Sequence, residues 1–192
     1  MADKYSLRDV ARRYLDSEKL SGPISLIGEL IASGVFSRAS FDGLMKAEGL
    51  SGAPKLKEIL LDLTLVFTRD CVEDHKLSKA EIDELESLVT IFRITEGDFY
   101  ELRRDAVQEI ISAQAMWMLK DRHVSEQEEI LQRDLQRLFG LSYDQYVGLL
   151  RPLATTHIEE LERRKLATQD REELKSIDSS IQNLRSVFLV AR

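Results

Sequence analysis

The chain is poor in the residues that staple or interrupt a fold. It holds a single cysteine, Cys71, with three prolines and nine glycines among 192 residues. One cysteine excludes a disulfide framework and points to a reducing, cytoplasmic setting. Few helix breakers, most of them lying between apolar-periodic segments, favour helices. No stretch approaches the ~20 uncharged apolar residues of a membrane span, and Met1-Ala2-Asp3-Lys4-Tyr5 begins no signal-peptide hydrophobic run. Basic charge is also short: 27 Lys and Arg stand against 34 Asp and Glu, a net charge of −7. Such a surface repels phosphate backbones and anionic lipid, so neither nucleic acid nor direct membrane insertion is expected. Chemical motifs are missing too. There is no glycine-rich phosphate loop, zinc-type Cys/His spacing or G-x-S-x-G, so the reading is not an enzyme, with no catalytic residue and no cofactor.

What is present is a globular balance, 43% hydrophobic and 32% charged, and an internal duplication. Asp74, Leu77, Ser78 and Glu81 recur 47 positions later as Asp121, Val124, Ser125 and Glu128. At the same offset Leu88 falls on Leu135, Ile91 on Leu138, Phe92 on Phe139, Phe99 on Tyr146 and Leu102 on Leu149. Ile94-Thr95 likewise falls on Leu141-Ser142. A constant offset without a gap is hard to reach by chance. A fainter third copy opens at Phe36-Ser37 and ends at Gly49-Leu50-Ser51.

Each copy has physical sense. Ser78-x-x-Glu81 and Ser125-x-x-Glu128 are capping boxes, Ser142-x-x-Gln145 repeats the device, and Thr95-x-x-Asp98 approaches it. The spacing of Ile82, Leu85, Leu88, Val89 and Phe92 predicts one short helix over 78–92. Ile130, Leu131, Leu135, Leu138 and Phe139 predict its sister over 125–139. Longer helices near 55–73 and 97–121, carrying Leu60, Leu61, Leu63, Leu65, Val66 and Phe67 in one and Ile110, Ile111, Met116, Trp117 and Leu119 in the other, read as central. Met116, Trp117 and Met118 read as core, with an adaptable Met-rich docking surface as the alternative. Ser6 caps a helix over 6–19 that buries Leu7, Val10, Ala11 and Tyr14, and Pro23 opens another reaching Ala32. Pro152 should end or kink the helix begun at Ser142. Helices near 153–166 and 170–190 follow, the second opened by Asp170. Its stripe of Leu174, Ile177, Ile181, Leu184 and Phe188 must pack along a helix of this chain or of a second copy, making a homodimer through this helix one option.

The fold expected is therefore all-α, a compact multi-helix bundle of duplicated helix-turn-helix units, with a short α-solenoid as the alternative. Three regions follow: N-terminal helices over 1–52, the duplicated core over 53–152 and a C-terminal hairpin over 153–192.

One segment invites a metal reading. Against a twelve-residue calcium loop, residues 70–81 offer Asp70 first, Asp74 fifth, Lys76 as the seventh-place carbonyl, Ser78 ninth and Glu81 twelfth. Val72, however, fills a ligand position and His75 replaces the glycine of the sharp turn. The sister loop puts Trp117 and Leu119 at its first and third places. Capping alone accounts for Ser78 and Glu81, so no metal site is expected. A divalent-metal-responsive sensor built on Asp70, Asp74, Ser78 and Glu81 stands as the alternative function. His75 and His123 lie in turns and read as solvated, and His157 is isolated. Cys71 reads as an inert helical thiol. The helix pair over 24–47, with Gly34 between, has the outline of a DNA-binding motif. Yet Glu29, Asp42 and Glu48 outnumber Arg38 and Lys46 there, the wrong sign for phosphate.

Asp-x-x-Leu/Val-Ser-x-x-Glu, an amphipathic helix, and then an apolar-Ser/Thr turn into a further helix resembles the tellurite-resistance B-like (TerB-like) family. The residues are Asp74, Leu77, Ser78, Glu81 and Ile94-Thr95, then Asp121, Val124, Ser125, Glu128 and Leu141-Ser142, within roughly 55–151. Where the family has Asp-Gly at the turn, this chain has Asp74-His75 and Asp121-Arg122. The resemblance implies a helical bundle without known catalysis, working in stress-response or membrane-associated assemblies. Together these readings predict a non-enzymatic interaction or scaffold module whose partner is another protein.

Overall fold

The computed structural model describes residues 6–17, 22–51, 55–118 and 126–189. Among them are ten α-helices and no strand. In order they are α1 (Leu7–Asp16), α2 (Pro23–Ser33), α3 (Arg38–Ala47), α4 (Leu56–Cys71), α5 (Lys79–Ile91), α6 (Asp98–Leu102), α7 (Arg104–Met118), α8 (Glu126–Leu138), α9 (Tyr143–Ala167) and α10 (Arg171–Leu184). A π-helical turn, Arg185–Leu189, closes the described chain.

α4 is the axis of the body. It buries Leu60, Leu61, Leu63, Leu65 and Phe67 together with Thr64 and Thr68, so most of its circumference is dry. A helix apolar nearly all round has to be enclosed, and α1, α5 and α7 enclose it. The two buried threonines are satisfied locally, their hydroxyls donating to the carbonyls of Leu60 and Thr64. α5 and α8, equivalent under the 47-residue offset and identical in length, pack on one another.

α3, α5 and α8 end in the same way. The amide of Leu50 donates to Met45 at 2.8 Å, that of Ile94 to Val89 at 3.0 Å and that of Leu141 to Gln136 at 3.0 Å. One residue earlier, Gly49, Arg93 and Gly140 donate to Lys46, Thr90 and Arg137 with φ of 64°, 56° and 58°. Each is a Schellman turn, in which a left-handed residue throws the following apolar side chain back onto the helix. The third copy suggested by Gly49-Leu50-Ser51 thus shares its helix ending with the other two. The N-terminal caps match where they are described. Ser37 and Ser78 each close a capping box on the third helical residue, while Ser125 lies outside the described residues.

Several elements differ from the sequence expectation. The helix expected over 97–121 is two, α6 and α7, broken at Arg103, whose φ of −140° leaves the helical region. Its guanidinium is held on α4 by Asp62 at 2.5 Å and by Glu58 at 2.9 Å, which fixes the break. Pro152 neither ends a helix nor separates two, because α9 runs through it. The proline is exposed, while Leu149, Leu150, Ala154 and Ile158 are buried on both sides of it. Packing of both halves overrides the cost of one missing donor. Met116 is 54% exposed and Ile130 41%, so neither belongs to the core. Leu119 lies outside the described residues.

The C-terminal stripe is used within the chain. Ile177, Ile181 and Leu184 of α10 are buried against Ile158 and Leu161 of α9, with Phe188 packed on both this cluster and the main core. A charge placed there has no water to reach. Ile181→Asp should therefore destabilise by about 3 kcal/mol. The loss of melting temperature should be the same at every protein concentration, and the mass by light scattering should not change.

Arg93 is the one non-glycine among the three left-handed helix ends. Arg93→Gly should relieve the strain at the cost of an exposed contact with Asp42, a net gain of about 0.5 kcal/mol in chemical denaturation. Gly140→Ala should do the reverse and destabilise by about 1–2 kcal/mol, because its Cβ would add strain at a positive φ and sit 3.1 Å from the Cα of Glu96.

Candidate interaction site

The residues of the proposed metal loop are dispersed among structural duties. Asp70, at the end of α4, pairs with Arg13 of α1 at 2.6 Å and accepts from the Tyr14 hydroxyl at 3.2 Å. Burial and the Asp70 carboxylate together push the Tyr14 phenol up. Asp74 accepts from the amide of Lys76 and closes a turn. Ser78 and Glu81 form the capping box of α5: the Ser78 amide donates to Glu81 at 2.8 Å and the Glu81 amide to the Ser78 hydroxyl at 3.2 Å. Among the described residues no three His, Cys, Asp or Glu side chains gather as a ligand set.

His75 is not a solvated turn residue. It sits at φ 61°, stacked on Trp117 of α7 at 4.6 Å with the rings 16° apart. Its Nδ1 lies 2.7 Å from Oε1 of Gln114, whose amide nitrogen donates to the Val72 carbonyl. With the Gln114 oxygen facing the ring, Nδ1 carries the proton. The α4–α5 loop is thereby fastened to α7, and the aromatic stack offsets the left-handed strain. Nothing in local spacing ties residue 75 to 114 and 117, which is why the sequence suggested solvent instead. His123 lies outside the described residues, and His157 faces Glu160 at 3.7 Å on α9. Cys71 is buried, and burial pushes its thiol up to about 12, far from the thiolate a nucleophile needs.

A concave feature of the described residues lies where the two copies meet. The C-terminal end of α5 and that of α8 flank a cleft of about 390 Å³. Its apolar lining is Val89, Ile94 and Phe99 from one copy and Leu138, Phe139 and Leu141 from the other. Phe99 and Phe139 meet edge to face at 5.1 Å below it. The Schellman turns place this lining, since each directs Ile94 or Leu141 inward. Close approach of Gly140 to Glu96 brings the two turns together. Val89, Leu138 and Phe139 were legible in apolar stripes, and Ile94, Phe99 and Leu141 as matched positions of the duplication, but their meeting at one seam was not.

The rim is polar. Arg137 is held by Glu86 at 2.8 Å and Asp134 at 3.7 Å. Gln136 donates to the Leu141 carbonyl. Asp98 fixes the loop below, taking Lys57 at 2.6 Å and the amide and hydroxyl of Thr95. Burial disfavours its charge, yet the hydrogen bonds from Lys57 and Thr95 outweigh that and hold its carboxyl below the usual range.

No family model matches the chain, and neither does any curated protein or solved structure. No helix among the described residues is long and apolar enough to cross a membrane.

Because the carboxyl of Asp98 is lowered in the folded state, its stabilisation is fully present above the unfolded value near ~3.9 and is lost as pH falls through the folded one. Asp98→Asn should lower the melting temperature at pH 7. The two proteins should converge as the pH approaches about 2.

Proposed function

We propose that the chain is a non-enzymatic protein-interaction module that receives a partner protein in the cleft between its two repeat copies. The observation that carries this reading is the cleft itself, whose apolar lining comes from equivalent helix ends, is buried but for Val89, and is rimmed by polar side chains. Protein-binding grooves have this make-up, with an apolar centre for anchoring side chains and a polar edge that sets orientation. The likeness of the repeat to the TerB-like family supports the same reading. Work in a stress-response assembly follows from that likeness alone.

The sensor alternative asks the loop 70–81 to release Asp70 from Arg13 and Glu81 from its capping box before any ligand set could form. That cost favours the interaction reading.

A photo-crosslinking residue at Thr95, on the rim, should trap one discrete protein in cells of the source organism. The same residue at Ser179, on the exposed face of α10, should not. Equal trapping from both positions would remove the cleft as the site. A rise in melting temperature with millimolar calcium, abolished by Glu81→Gln, would favour the sensor instead.

A further inference from the structure

We infer that the cleft takes a basic amphipathic segment of its partner, with an aliphatic side chain seated between Ile94 and Leu141 and a cation resting on Glu96. The inference rests on the interaction reading above and names the chemistry of the partner. Its first support is size. At about 390 Å³ the cleft stands near the lower end of ligand-binding clefts, ~300–1,000 Å³. That volume suits anchoring side chains of a segment lying across the surface rather than a whole buried ligand, the arrangement by which amphipathic helices enter grooves.

The second support is charge. Two charged residues line the cleft, and only one is neutralised from within the chain. Arg137 is shared by Glu86 and Asp134, whereas Glu96 is exposed and has no ion-pair partner among the described residues. Next to it, the Glu101 carboxylate lies 3.7 Å from where a Cβ on Gly97 would stand. Glu101 also lacks an ionic partner among the described residues. The unanswered charge at the rim is therefore negative. A segment with an acidic flank would meet repulsion, and one with Lys or Arg beside its anchor would meet attraction.

The test uses the full chain with a fluorescein-labelled leucine–lysine amphipathic peptide and its leucine–glutamate counterpart. Binding is followed by anisotropy and located by amide shifts in two-dimensional NMR. The leucine–lysine peptide should shift the amides of Ile94, Thr95 and Leu141. Its affinity should fall roughly fivefold in Glu96→Lys, where an attraction becomes a repulsion, and less in Glu96→Gln. Glu159→Lys, with the same change in net charge at an exposed position of α9, should bind as the parent does. Equal loss in Glu96→Lys and Glu159→Lys would reduce the effect to net charge and overturn the inference. Binding of the leucine–glutamate peptide in the cleft with equal affinity would overturn it while leaving the cleft as an interaction site. If neither peptide shifts the cleft amides, the basic occupant is refuted, and photo-crosslinking at Thr95 decides the interaction reading separately.

Discussion

A helix that stops leaves its last carbonyls without partners inside the helix. Two devices meet this demand. One is local, the Schellman turn that ends α3, α5 and α8. The other comes from elsewhere in the chain. Arg8 of α1 donates to Ala32 at the end of α2, and Arg38 of α3 donates to Thr90 and Ile91 at the end of α5. Lys57 of α4 reaches the carbonyl of Arg93, and Arg151 of α9 reaches that of Phe188 in the π-helical turn. Each cation also meets the negative end of a helix dipole. The amino end of α1 is finished in the opposite sense, the amide of Leu7 donating to Glu84 of α5 at 2.7 Å. These helix ends gain their side-chain partners only when the tertiary structure is in place. Local and global order are therefore joined at the termini.

This division explains what could be read from sequence. Caps made by neighbours in sequence were legible: Ser6, Ser78, Ser142 and Asp170 all cap as their spacing implied. So was the apolar period of α4 and α5, and with it the all-α class. Features decided by distant residues were not legible. The break at Arg103 depends on two carboxylates of α4, and the continuity of α9 through Pro152 depends on what both halves bury. The exposure of Met116 and Ile130 shows the same limit. Periodicity marks a stripe on a helix but not how far the facing element reaches across it.

The cleft arises from the same logic, through a place where the two copies are not interchangeable. In the second copy Ser142 caps α9 directly, and the helix starts at Tyr143. In the first copy the equivalent of Asp144 is Gly97, whose φ of 89° delays α6 to Asp98. The segment from Thr95 to Gly97 thus remains a loop, and it carries Glu96 to the edge of the seam. Had both copies entered their second helix alike, residue 96 would have become part of a helical first turn, as its counterpart Tyr143 is. Duplication supplied two matching apolar ends, and divergence at one glycine opened the rim between them.

The hairpin formed by α9 and α10 is bound by a different balance of forces. Arg164–Glu173, Lys165–Asp178 and Arg185–Glu162 bridge its two helices, but most of these side chains are about half exposed. Such pairs contribute ~0–1 kcal/mol each, whereas a buried Ile or Leu contributes about 1.5–3 kcal/mol. The closure of the hairpin therefore belongs to Ile158, Leu161, Ile177, Ile181 and Leu184, and the ion pairs set its register. That cluster is small compared with the main core, and the shared side chain of Phe188 and the unbroken course of α9 are what join the two. A few buried side chains on one interface place a region toward the low end of local stability. Pro152 stands at the passage from one cluster to the other, where α9 already lacks one of its own hydrogen bonds, so opening of the hairpin has its natural boundary there.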